Sequence, residues 1–148
     1  LTADPASSEV FVAWSRDSRQ LAWVGHTKQG DNLWILPALD GMPKRLTTWE
    51  GSQVRPSFSP KGDLVAFYAN HDVADRFDLY VVASAGGTPR KLLDGVVPNA
   101  LGPRFLPDGS AIVAVKDEDA AFDPFVKVPV AGGTAVKLDL GTVGHGDH

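Results

Sequence analysis

The chain has 148 residues, of which 43% are apolar and 22% charged, with a formal charge of −4. Its apolar runs are too short to span a bilayer as a helix, and a mild acidic balance without a clustered basic face gives no support to a nucleic-acid partner. Cysteine is absent, which excludes disulfide staples, thiolate metal sites and a cysteine nucleophile.

Gly and Pro are spread as punctuation along the whole chain, the distribution expected of many short strands joined by tight turns. In chain order, strands are predicted near 10–14, 20–24, 32–37 and 43–47, then near 54–58, 63–68, 78–83 and 89–93. A third set follows near 102–106, 110–115, 124–129 and 135–139. No helix is expected. The three sets open on related phrases, Trp14-Ser-Arg-Asp-Ser18, Phe58-Ser-Pro-Lys-Gly62 and Phe105-Leu-Pro-Asp-Gly109. They close on related turns and basic strands, ending at Leu46, Leu92 and Leu138, which are 46 residues apart. A repeat of roughly 40 to 50 residues built from short strands is the signature of a β-propeller with one blade per repeat.

Within each repeat the residues assign the strands different environments. The second strands, Leu21–Val24, Leu64–Tyr68 and Ala111–Val115, are apolar at both parities, so both of their faces must be covered. The third strands, 32–36 and 78–82, behave alike. The fourth strands, opening Pro43-Lys-Arg and Pro89-Arg-Lys, carry the proline and charge that protect an outer edge. In the turn after the first strand, Pro60 and Pro107 preset φ, and Gly62 and Gly109 supply a positive φ. The first repeat has Arg16-Asp-Ser18 there and reads as degenerate. Trp14, Trp23 and Trp34 fall at repeat positions and are expected in blade cores.

The phrase from Pro56 to Phe67, with Asp78–Val82 and Gly86–Leu92, resembles the TolB-like propeller repeat, and the resemblance extends over almost the whole chain. It implies four-stranded blades, commonly six to eight to a ring. Such repeats occur in TolB, which resembles a periplasmic assembly hub, and in the propellers that gate prolyl oligopeptidase-like serine peptidases. They also occur in assorted secreted or sensory bacterial proteins.

The organisation expected is therefore all-β: an incomplete TolB-like propeller over 1–148. Blade one spans about 8–47, blade two about 52–93 and blade three about 100–139, while 140–148 starts a next blade. Leu1-Thr2 repeats Leu46-Thr47, so the chain is in register with a longer array. Three blades do not close a ring, which takes at least about four. The chain is then either a slice of a larger ring or a half-ring that pairs with a second copy into a six-bladed homodimer.

Candidate sites follow from placement. Inner strands line a propeller channel, which makes Gln53, Arg55 and Arg104 candidates to meet a ligand or partner, Arg being a good carboxylate or phosphate clamp that also serves in structural ion pairs. Trp49, in an inter-blade loop, is a candidate contact residue. His145, Asp147 and His148 form the best metal-like cluster, set against a plain polar loop. His26 and His71 are expected in loops after second strands, and Asp72, Asp75 and Asp78 in an acidic loop without EF-hand spacing. Ser15, Ser57 and Ser59 sit inside the repeat phrase, where turn or strand hydrogen bonding accounts for them, and no Gly-x-Ser-x-Gly elbow is present. No cofactor is expected. The function expected is a non-catalytic module for protein binding or scaffolding, in a periplasmic or secreted setting. The rival is the gating propeller of a serine peptidase whose hydrolase domain lies outside this chain.

Overall fold

The structure, a computed structural model, describes residues 8–27, 30–38, 41–98, 102–117 and 124–138. Leu1-Thr2 and 140–148 lie outside them. The described residues form twelve strands and no helix: β1 (Ser8–Trp14), β2 (Leu21–Thr27), β3 (Gly30–Leu36), β4 (Lys44–Arg45), β5 (Gln53–Phe58), β6 (Leu64–Val73), β7 (Arg76–Ala83), β8 (Arg90–Val96), β9 (Arg104–Phe105), β10 (Ala111–Val115), β11 (Phe125–Pro129) and β12 (Val136–Lys137). They pair as three antiparallel meanders, β1 to β4, β5 to β8 and β9 to β12. These are three four-stranded blades, and they do not close a ring.

The double-sided apolar strands are what join them. In β6, Val65 to Ala69 are all fully buried, although successive side chains point to opposite faces. Val65, Phe67 and Ala69 join Tyr80 and Val82 against Ala22, Val24, Leu33, Ile35 and Leu46 of the first sheet. Ala66 and Tyr68 join Leu79 and Val96 against Ile112, Ala114, Val126 and Val128 of the third. The middle sheet thus belongs to two cores at once. On the other face of the first sheet, Leu21, Trp23 and Leu36 are buried with Trp34 packed against them, the Trp23 and Trp34 rings stacked at 6.5 Å.

β2 and β6 run further than the repeat suggested. His26 lies in β2, and His71 and Asp72 lie in β6, so these are strand residues at hairpin ends and not loop residues. Trp14 departs from expectation more strongly, being 53% exposed and outside the cores. Its counterpart Phe58 is buried because the first sheet covers it. Trp14 belongs to that covering sheet itself.

The turn after each inner strand is the same in all three blades. A main-chain bond links Ser15 N to Gln20 O, Ser59 N to Leu64 O and Leu106 N to Ala111 O. A second closes Ser18 N on Ser15 O, Gly62 N on Ser59 O and Gly109 N on Leu106 O. Gly62 and Gly109 both have φ 76°, and Ser18 has φ 60°. The first repeat therefore keeps the geometry without the glycine. Its side chains supply the support: Ser15 Oγ donates to Asp17 Oδ1 at 2.6 Å and accepts from Gln20 N at 3.0 Å. Ser59 and Asp63 repeat the arrangement in blade two.

Left-handed backbone costs a non-glycine residue about 1 kcal/mol or more. Ser18→Gly should therefore raise stability by up to about 1 kcal/mol, read as a higher urea midpoint at unchanged slope. A lowered midpoint would contradict this account of the turn.

Candidate functional site

The inner strands converge on one cleft of about 350 Å³, lined by Val12–Trp14, Arg55–Phe58 and Gly102–Arg104. Its walls come from all three blades. Pro56 and Pro103 are buried in its floor, whereas Val12 and Trp14 stand half exposed and Arg104 is exposed.

Local irregularity places Arg55 there. β5 pairs Val54 with Tyr68 and Ser57 with Ala66, so one extra residue is inserted into β5 and the strand carries a bulge. β1 carries a bulge of the same kind between Glu9 and Val12. Within the β5 bulge Arg55 takes φ 61°. Among the described residues it and Ser18 are the non-glycine residues with positive φ. Such a conformation costs about 1 to 3 kcal/mol and persists only where the surroundings impose it. Arg55 Nε donates to the Pro98 carbonyl oxygen at 3.0 Å, and the side-chain stem runs beside Gly102, where an added Cβ would sit 3.5 Å from the Arg55 Cβ. Its charge also acts on Tyr68, whose phenol is pushed up by burial and pulled the other way by Arg55. Arg104, the counterpart of Ser57, pairs with Val113 through the β9–β10 ladder, and its guanidinium has no hydrogen-bond or ion-pair partner among the described residues.

The other sequence candidates occupy different places. Gln53 is fully buried and does not line the cleft. Its Oε1 accepts from Asn32 Nδ2 at 2.9 Å and from Thr47 Oγ1 at 2.6 Å, while Asn32 Nδ2 also reaches the Trp49 carbonyl oxygen at 2.8 Å and Thr47 Oγ1 accepts from Leu33 N. Gln53 therefore fastens the start of blade two to blade one. Trp49 is partly buried over the Phe67 and Tyr80 rings, and the His71 ring stacks on it at 3.7 Å. Asp78, which aligns with Asn32, is likewise buried, accepting from Gly95 N and from Arg76. Around it Lys91 bridges Asp72 and Asp94, and these hydrogen bonds hold both carboxyls below the usual carboxylate range. Among the described residues no cluster of His, Asp and Glu is arranged to hold a metal. His145, Asp147 and His148 lie outside those residues.

The basic residues of the fourth strands also have defined partners. Lys44 Nζ donates to the Ala85 carbonyl oxygen, and a terminal nitrogen of Arg90 donates to that of Val130 at 2.8 Å. Each reaches the turn before the fourth strand of the next blade. The sequence places them at an outer edge without revealing these bonds, although a basic pair recurs at the same blade position as Lys44-Arg45 and Arg90-Lys91.

No protein-family model matches the chain. An uncharacterized peptidase of Bacillus subtilis (strain 168), YuxL, is 32% identical over 123 residues, covering 76% of this chain and 18% of YuxL. The structure of TolB from Acinetobacter baumannii superposes with a TM-score of 0.71 at 20% identity, over 89% of this chain and 32% of TolB. The three sheets have the TolB-like propeller fold. The same blades superpose on the β-propeller domain of the trilobed protease from Pyrococcus furiosus, with a TM-score of 0.70 at 12% identity over 89% of this chain and 43% of that one. Propeller domains of prolyl endopeptidases are also among the similar structures. The TolB-like blades described here thus span well under two thirds of each of these proteins.

Gln53→Leu leaves the hydroxyl of Thr47 without its acceptor inside a seam, while the Asn32 amide keeps the Trp49 carbonyl oxygen, and an orphaned buried donor costs about 1 to 3 kcal/mol. The variant should unfold about 1 to 3 kcal/mol more easily in urea. Unchanged stability would contradict the structural role assigned to Gln53.

Proposed function

We propose that the chain is a non-catalytic propeller module that binds a protein partner, with its rigid blades holding the contact residues in place. The observation that carries this reading is the inner cleft, where Arg55 and Arg104 stand over a buried proline floor. Arg is among the residue types most often found to dominate protein interfaces. In this reading the partner meets Arg55 and Arg104, while Gln53 and Trp49 hold the seam behind them. The ring would be completed by further blades or by a second copy of the chain. A periplasmic or secreted setting is what the TolB-like resemblance implies.

A second reading has a specific observation in its favour, the similarity to the peptidase YuxL and to protease propellers. In it the blades form the gating propeller of a serine peptidase, and the hydrolase domain belongs to the same polypeptide.

Photo-cross-linking in the native host separates the two. A photoreactive residue placed at Lys61 or Asp75, both exposed, should capture a separate protein in trans. Cross-links confined to a hydrolase domain with a Gly-x-Ser-x-Gly elbow in the same polypeptide would overturn the module reading in favour of the peptidase.

A further inference from the structure

We infer that the pocket among the inner turns is a docking site for an acidic side chain of a protein partner, held between Arg16 and Lys61. This inference rests on the protein-binding reading and gives the partner's charge a place beside the inner cleft.

The pocket, of about 430 Å³, is lined by Arg16 of blade one, by Ser59–Lys61, Asp63 and Leu64 of blade two and by Pro107–Gly109 of blade three. It lies over the turn of the middle blade, which has a blade on either side. The turns touch one another: Gln20 Nε2 donates to the Gly62 carbonyl oxygen at 2.9 Å, and a Cβ added to Gly109 would meet Pro60 Cδ at 3.6 Å. Its walls are thus turns packed on turns, and no uncovered sheet face contributes to it. The inner cleft ends at Phe58 where this pocket begins at Ser59, so one partner reaches both.

The first argument is what the turn itself requires. The matching main-chain bonds align Arg16 with Pro60 and Pro107, and Lys61 with Asp17 and Asp108. Proline presets φ in such a turn, and aspartate caps it, Asp17 Oδ1 accepting from Arg19 N and Asp108 Oδ1 from Ser110 N, both at 3.0 Å. Blade one lacks that proline and blade two lacks that aspartate, and both replacements are cations on the same pocket. The turn closes with the same bonds in all three blades, so neither cation is needed to form it.

The second argument is that these two charges are uncommitted. Lys44 and Lys116 each hold a carbonyl oxygen, and Arg76 and Lys91 hold carboxylates. Arg16 and Lys61 are exposed, and their side chains make no hydrogen bond or ion pair among the described residues. Asp63 and Asp108 line the same pocket without pairing to them. Each carboxylate instead accepts from a serine of its own turn, Asp63 Oδ1 from Ser59 Oγ and Asp108 Oδ1 from Ser110 Oγ, both at 2.7 Å. Two free cations with two carboxylates beyond them suit a single acidic residue and oppose a polyanion, whose further charges would meet Asp63 and Asp108. A nucleic-acid backbone would need a continuous basic track, and this chain carries a formal charge of −4. Pro60 and Pro107 offer the neighbours of that acidic residue a rigid apolar surface.

Calorimetric titration of the full chain at low salt tests the inference with three probes: a short capped peptide with one Glu among Pro and Ala, its Gln counterpart, and a short oligothymidylate. The Glu peptide should bind, the Gln peptide should bind at least about tenfold more weakly, and the oligothymidylate should not compete. Arg16→Pro combined with Lys61→Asp installs the residues that the other turns carry. It should weaken binding at least about tenfold while the urea midpoint stays at or above that of the unaltered chain, a pairing of results that merely structural cations would not give. Arg45→Gln removes a positive charge outside the pocket and should leave the affinity within about twofold. Equal binding of the Glu and Gln peptides, competition by the oligothymidylate, unaltered affinity in the double variant, or an equal loss in Arg45→Gln would each overturn the proposal. A protein captured at Lys61 or Asp75 in the host, with no binding of the Glu peptide, leaves the module reading standing and overturns the pocket assignment. If nothing is captured, the module reading falls on its own.

Discussion

Everything in this molecule depends on strands that are buried on both faces. β6 places Val65, Phe67 and Ala69 in one core and Ala66 and Tyr68 in the next, so a single strand closes two seams. No blade could bury such a strand alone, because one face of an isolated sheet must meet water. The blades therefore stand or fall with their neighbours. Apolar contact of this kind is non-directional and would tolerate sliding of one sheet over another. Polar bonds across the seams supply the direction.

Of those bonds, the clasp made by a basic residue of the fourth strand recurs with the repeat. The amide of Asn32, the hydroxyl of Thr47 and the side chain of Gln53 lock the inner end of the first seam. Lys44 and Arg90 clasp the outer end of each seam to a carbonyl in the next blade's turn, and Gln20 ties one inner turn to the carbonyl of Gly62 in the next. Fixed at both ends, the sheets can hold a backbone conformation that a looser scaffold would relax. Arg55 is where that rigidity is used, since its left-handed φ survives only under an over-determined bulge. Framework and site are thus linked by the same seams, since Phe58 of the first seam also lines the cleft.

Much of the architecture was legible because turn chemistry repeats. Gly62 and Gly109 announce a positive φ, and the two-sided apolar strands announce a sandwich of sheets. Ser18 was harder, because the turn it occupies is held by hydrogen bonds of Ser15 and Asp17 and not by a glycine. Trp14 was misplaced for a different reason: equivalent positions in a repeat are buried only where a neighbouring blade covers them, and alignment does not carry that information. Gln53 at the start of an inner strand reads as a channel residue until its partners are known. The available signal was the pair Asn32 and Thr47, polar residues set among apolar ones, which had to be satisfied by something buried. Arg55 and Arg104 were legible as inner-strand cations, but the bulge that strains Arg55 has no sequence mark beyond the proline that follows it.

The central claim is that the three blades form one cooperative structure built on shared strands. Native-state hydrogen exchange tests it directly, because it reads the opening free energy of each strand separately. The central amides of β2, β6 and β10 should exchange only through global unfolding and therefore share one free energy, while β4 and β12 open earlier. Exchange of β10 and β11 at a distinctly lower free energy than β6, with the first two blades still intact, would contradict the account.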